Sequence, residues 1–282
     1  ISQEQLDKII NSDFGLFLGV ITRFSYLDYQ KDKKKQYELE KFLKKKFKII
    51  KDIKISSYSI VKGKRLSPRI ALLSILDEKN NIYNFFSFRG TKTFQDINKD
   101  LRFTKCKEYF YTNEELDRIL SNFKDLKYKE FFDEKDMSKK KLEKKIDLKK
   151  LNFTTKIHCG FRIYYRRIAH IIEKIINNKI FGERNFKTKP NNIYNILVGH
   201  SLGGALAQSS ALRFSYFNLK NIACFTFNQP KVGNNDFNHL YYIGAAYKRI
   251  HSYVRIYNND DIVSKLPIRF ILHYYHPDKL RK

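Results

Sequence analysis

Ile193-Tyr194-Asn195-Ile196-Leu197-Val198-Gly199-His200-Ser201-Leu202-Gly203-Gly204 is the stretch from which the fold is read. Ile193 to Val198 is a short apolar run, the pattern of a strand buried on both faces. Ser201 to Phe217 is rich in small residues and reads as a helix. Between them stands G-x-S-x-G, formed by Gly199, Ser201 and Gly203. Five such residues alone are a weak signal. A strand before them and a helix after them make a strand–turn–helix that lifts a serine hydroxyl to the tip of a tight turn. That turn strains the serine backbone and leaves no room for side chains at the flanking glycines. Gly204, Ala205 and Ala207 would let the helix close on the sheet, with its N-terminus turned to favour negative charge beside the serine.

Working outward, Ala223–Phe227 and Tyr253–Tyr257 read as further buried strands, and Phe161–Asn177 has the apolar spacing of a helix. Ile70–Leu76 and Ile82–Phe88 flank the turn-forming Glu78-Lys79-Asn80-Asn81, which predicts a hairpin. Residues 1–30 read as a helix on Phe14, Phe17, Leu18 and Ile21. Lys31 to Lys51 reads as a lysine-rich, solvated amphipathic helix with Leu39, Phe42, Leu43 and Phe47 interleaved at helical spacing. Residues 105–152 are charged and irregular, with lysine runs at 139–141 and 144–145, and are expected to form a surface insertion. Strands alternating with helices imply one α/β domain over 1–282, with a mostly parallel central sheet and helices on both faces.

A serine hydroxyl is a poor nucleophile near neutral pH and needs a histidine base held by a carboxylate. After an elbow of this kind the order along the chain is serine, acid, histidine. Asp236, Asp260, Asp261 and Asp278 are the acid candidates. Asp261 is best placed, because it lies in the loop after the strand Tyr253–Tyr257, where sites on parallel sheets are built. His239, His251, His273 and His276 follow Ser201, and the last two also follow Asp261.

Five stretches, in order across roughly residues 70–276, resemble the class 3 (fungal-type) lipases of the α/β-hydrolase superfamily. They are Phe88-Arg89-Gly90-Thr91 with Asp96 and Asp100-Leu101, His158-Cys159-Gly160-Phe161, Gly199 to Ala207, Phe225 to Asn234, and Asp261 to Pro267. The resemblance implies an α/β-hydrolase fold and a serine ester hydrolase acting on acylglycerols or phospholipids. It assigns Ser201 as nucleophile, Asp261 as acid, and Thr91 with the Leu202 N–H as the oxyanion hole. It also implies a lid over Thr93–Phe103, in which Phe94 and Ile97 either face lipid or form the buried face of an ordinary helix. His276 is the nominal base. The family's histidine usually lies further downstream, so His273 and a residue beyond Lys282 stay open, and a chain truncated at its C-terminus is one expectation. Ser264 stands where the family usually has proline, and the stretch between Leu101 and His158 is longer and more basic than usual.

The formal net charge of +27 suggests anionic partners. No nucleic-acid-binding motif accompanies it, and the excess of Lys, Asn, Ile, Phe and Tyr is the skew of an AT-rich genome. We therefore expect no nucleic acid and retain an anionic membrane surface as a partner beside the lipid ester substrate. No apolar run reaches the ~18 residues of a membrane span. The start lacks a signal-peptide pattern, although a first residue of Ile implies a processed or partial chain. Cys106, Cys159 and Cys224 are odd in number and scattered, which predicts free thiols and neither a disulfide framework nor a zinc site. Cysteine usage and the missing signal pattern favour an intracellular chain. No metal-spaced cluster or phosphate loop is present, and no cofactor is expected. The alternative function is a non-catalytic hydrolase-like module that binds a membrane or a protein partner.

Overall fold

The computed structural model describes residues 13–26, 33–47, 50–59, 69–90, 105–108, 155–177, 186, 189–217, 219, 221–246, 249–258 and 260–266. In chain order these form α1 (Asp13–Phe24), α2 (Lys33–Lys46), β1 (Ile50–Ser59), β2 (Arg69–Asp77), β3 (Ile82–Phe88), β4 (Lys105–Lys107), β5 (Lys156–His158), α3 (Cys159–Asn177), β6 (Ile193–His200), α4 (Leu202–Tyr216), β7 (Ile222–Phe227), α5 (Asn235–Ala246) and β8 (Ile250–Ile256). A 3-10 turn, Ile262–Lys265, follows.

Six strands make one sheet in the order β1-β2-β3-β6-β7-β8. β1, β2 and β3 pair antiparallel, while β3, β6, β7 and β8 run parallel. The carboxyl ends of β3 and β6 therefore meet, with Phe88 opposite Gly199. His200 lies opposite Phe227, and Phe227 opposite Ile256, so the ends of β7 and β8 flank the same edge.

Both faces of the sheet are covered, which is why its parallel strands are apolar at consecutive positions. Leu72, Phe86, Leu197, Cys224 and Tyr253 pack against α3, α4 and α5. The residues beside them in sequence, Leu73, Phe85, Ile196, Phe225 and Val254, pack on the other face with Phe17, Leu18 and Ile21 of α1 and Leu43 of α2. Successive side chains on a strand point to opposite faces, so a central strand in such a sandwich has no solvent side. α4 is buried almost throughout, from Leu202 to Leu212 without a break. That explains a helix with little amphipathic contrast.

The structure bears out the hairpin, the two N-terminal helices over the residues described, and the strands and helices around Ser201. Along the amphipathic α2, Leu43 is buried and Phe42 is 45% exposed. The reading is corrected at the cysteines. Two of the three cysteines are not free thiols: Cys106 and Cys159 form a disulfide with Cα atoms 5.0 Å apart. Their proximity comes from β4 pairing with β5, which sets Lys105 opposite His158 and Cys106 opposite Ile157. This removes the cysteine premise from the expectation of an intracellular chain. Cys224 is the buried thiol that was expected, its pKa pushed up by burial.

The same corner carries a charge cluster. Glu108 is nearly buried and accepts from Arg162 Nε at 3.0 Å and Arg166 Nε at 2.9 Å. Disulfide, strand pair and ion pairs thus gather the chain at 105–108 and 155–166. The basic stretch expected as an insertion falls between them, mostly outside the described residues. Among the described residues no helix is long and apolar enough to cross a membrane.

Candidate active site

Ser201 joins the last residue of β6 to the first of α4 and has φ 54° and ψ −126°. For a residue with a Cβ this is a strained conformation, costing on the order of 1–3 kcal/mol. Backbone bonds hold it there. The Ser201 N–H donates to the Phe227 carbonyl at 2.9 Å, and the Ser201 carbonyl accepts from Gly204 N–H at 2.9 Å and Ala205 N–H at 3.3 Å. Ser201 is the N-cap of α4, yet its hydroxyl makes no capping hydrogen bond. A cap serine normally spends its oxygen on an N–H of the first turn.

Close backbone approach explains the glycines. A Cβ on Gly199 would meet the Gly203 carbonyl and lie 2.6 Å from Gly204 N. A Cβ on Gly203 would meet the Phe88 carbonyl and lie 2.9 Å from Gly90 N. On Gly90 it would meet the His200 carbonyl and lie 2.5 Å from the Tyr26 hydroxyl. Three backbone segments, the end of β3, the elbow and the first turn of α4, are thus in contact with nothing but glycine between them. This puts Gly90, the residue before Thr91, beside the start of α4, where Leu202 carries one of the helix's unpaired N–H groups. Thr91 itself lies outside the described residues, as do Thr93–Phe103 with Phe94 and Ile97.

Asp261 follows β8 and caps the 3-10 turn, its carboxylate accepting from Val263 N–H at 2.8 Å. Ser264, in the position where proline was expected, donates its hydroxyl to the Asp261 carbonyl at 2.9 Å. The loop ahead of Asp261 is tied to the turn after β7 by Asn258 N–H donating to Asn228 Oδ1 at 2.8 Å. Asp261 therefore stands at the carboxyl edge of the sheet, the same edge as the elbow.

His200 occupies that edge too. Burial pushes its pKa down, and the negative charge of Asp261 acts in the opposite sense. Its Nδ1 lies 3.3 Å from the Tyr26 hydroxyl. Tyr26, just beyond α1, was missed in the sequence. It is 174 residues from His200, and no local pattern marks such a contact. His158 leads into α3: its Nδ1 accepts from Gly160 N–H at 3.1 Å, and burial lowers its pKa to about 4. His251 is the second residue of β8, at the end of the sheet away from the elbow, and His170 sits mid-helix on the surface of α3. His273 and His276 lie outside the described residues. Among the described residues no group of three or more His, Cys, Asp or Glu could hold a metal ion.

Residues 85–271, more than half of the chain, match the sequence family described as Lipase (class 3). No curated protein matches the sequence. Solved structures do resemble the fold. A lipase from Rhizopus microsporus var. chinensis is 20% identical with a TM-score of 0.54, over 95% of this chain and 70% of that one. Lipase II from Rhizopus niveus is 18% identical with a TM-score of 0.59, over 98% and 79%. The Rhizomucor miehei triacylglyceride lipase is 16% identical with a TM-score of 0.52, over 95% and 76%. At such identities the likeness establishes the fold, here the α/β-hydrolase fold, and the family match stands on the sequence.

Proposed function

This chain belongs to the class 3 lipase family and is a carboxylic ester hydrolase of the lipase type, and we propose that it cleaves acylglycerol or phospholipid esters through an acyl-enzyme on Ser201. The observation that carries this reading is a strained serine whose hydroxyl is left out of the helix cap it occupies. A purely structural turn gains nothing from that arrangement, whereas a nucleophile needs it. This favours catalysis over the non-catalytic module.

In the proposed reaction the Ser201 Oγ attacks the ester carbonyl while a histidine takes its proton. Asp261 orients that histidine, for which His276 is the nominal residue and His273 or a residue past Lys282 the alternatives. The carbonyl oxygen gains negative charge, held by the Leu202 N–H and by Thr91. Each such donor is worth about 10²–10³ in turnover. The tetrahedral intermediate expels the alcohol, which receives the proton from the histidine. Water, activated by the same base, then releases the fatty acid and restores Ser201. The net charge of +27 would draw the chain to anionic lipid surfaces, where these esters lie. Vesicle binding that weakens with added salt checks that part.

The test of the nucleophile is covalent. A fluorophosphonate probe loses fluoride to an activated serine. Wild type should be labelled and Ser201→Ala should not. Equal labelling of both would refute the assignment.

A further inference from the structure

Tyr26 ends the described segment 13–26, and its hydroxyl reaches the elbow. It lies 3.3 Å from His200 Nδ1 and is hydrogen-bonded by the Gly90 backbone N–H. The phenol is held from behind. α1 is buried against the sheet through Phe17, Leu18 and Ile21, Ser87 Oγ donates to the Thr22 carbonyl at 3.3 Å, and Tyr26 N–H donates to the Arg23 carbonyl at 3.0 Å. Gly90 has no side chain with which to fix itself, because a Cβ there would strike the His200 carbonyl.

We propose that Tyr26 is a positioning residue for ester hydrolysis, its hydroxyl bracing Gly90 against His200 and so fixing the spacing between the strand end that leads to Thr91 and the elbow that carries Ser201. The proposal rests on the reading of Ser201 as nucleophile. The Gly90 N–H occupies one lone pair of the phenol oxygen, and the phenol O–H then donates to Nδ1. That arrangement leaves the His200 ring proton on Nε2 and makes a chain of hydrogen bonds in which each polarises the next. Burial raises the Tyr26 pKa, against the opposing Gly90 bond and the Arg89 charge, so the hydroxyl keeps its proton at neutral pH. The bracket acts through the backbone on which oxyanion stabilisation depends, and such stabilisation is lost steeply when a donor shifts by ~1 Å.

Tyr26→Phe keeps the ring and removes both hydrogen bonds. We expect kcat on a soluble short-chain ester to fall about 10- to 100-fold with KM within about twofold of wild type, a fraction of the cost of losing a donor outright. The first-order rate constant of fluorophosphonate labelling should fall by the same factor. A merely structural role would lower the fraction of chains labelled and leave that rate constant unchanged. Tyr83→Phe, which removes a hydroxyl bonded to Asp77, should label at the wild-type rate. If Tyr26→Phe labels as fast as wild type while Ser201→Ala stays unlabelled, the bracing role is overturned and the nucleophile stands. A raised KM with unchanged kcat also overturns it. Labelling of Ser201→Ala overturns the reading beneath it.

Discussion

Replacing Ser201 by glycine should make the protein more stable while abolishing its reaction. The serine is held at φ 54° and ψ −126°, a region that glycine enters freely and a residue with a Cβ enters at a cost of about 1–3 kcal/mol. Ser201→Ala is the matched control. Both variants lose the hydroxyl, and both retain the backbone bonds to Phe227, Gly204 and Ala205. Alanine keeps the strain and glycine releases it. Glycine also loses more chain entropy on folding, roughly 0.5–1 kcal/mol. The difference left over centres on about 1 kcal/mol in favour of glycine, or roughly 2 °C in midpoint for a chain of 282 residues. Thermal and urea unfolding of the two variants side by side measure it, with the fluorophosphonate probe confirming that both are inert. A glycine variant no more stable than the alanine variant would refute the claim that this turn stores strain, and with it the main support for a catalytic serine.

Gly203→Ala drives a methyl into the Phe88 carbonyl and should cost more than about 3 kcal/mol in unfolding experiments, near the top of the range for overpacking. Gly19→Ala, with nothing within 4 Å of the added atom, should stabilise α1 by about 0.5–1 kcal/mol. The Cys106–Cys159 disulfide spans 53 residues. Chain entropy assigns it about 4 kcal/mol, so the double Cys→Ser variant should show a urea midpoint lowered to match, with fluorophosphonate labelling of Ser201 retained. Finally, burial holds His158 neutral with a pKa lowered from 6.5 to about 4. The unfolded chain then binds the extra proton first, so stability falls as pH drops below about 6.5 and has lost about 3 kcal/mol by pH 4. His158→Asn, whatever its own cost, should flatten that part of the pH profile.

Much of this fold is legible in the sequence because its central strands are buried on both faces. Ile196–Val198 and Ala223–Phe225 are apolar at every step because both faces are covered, and such runs are hard to mistake. β1 escapes for the opposite reason. Ile53 and Ile55 alternate with Lys54 in an edge strand, and the lysine-rich segment before it extends the helical reading across its start. α5 escapes because Asn234, Asn235 and Asn238 speak for a turn. Its inward residues Phe237, Leu240 and Tyr241 nevertheless have helical spacing and are fully buried. The disulfide could not be read from an odd count of cysteines. Its partners are brought together by a three-residue strand pair, a tertiary event that leaves no local signature. Ser201 and Asp261 are legible because each sits in a turn whose own sequence specifies it. Tyr26 is not, because its role depends on where α1 docks.

That contrast bears on how the site achieves its precision. The elbow is set by backbone against backbone, with Phe88, Gly90, Gly199 and Gly203 in mutual contact. No side-chain rotamer stands between the sheet and Ser201, so the proposed nucleophile inherits the rigidity of β3, β6 and β7 directly. Such a junction has no slack. A displacement of β3 relative to β6 moves Gly90 against the elbow by the same amount. On the proposed reading of Ser201, the two apolar layers matter to the reaction as well as to stability. The α3–α4–α5 layer presses the elbow helix onto the sheet from one side, and α1 with α2 backs β3 and β6 from the other. Removing the α1 layer would uncover apolar sheet and, on the proposed role of Tyr26, loosen the loop at Gly90. On that proposal the N-terminal helix, which carries no motif of its own, serves the site by packing on the sheet and so placing the Tyr26 hydroxyl.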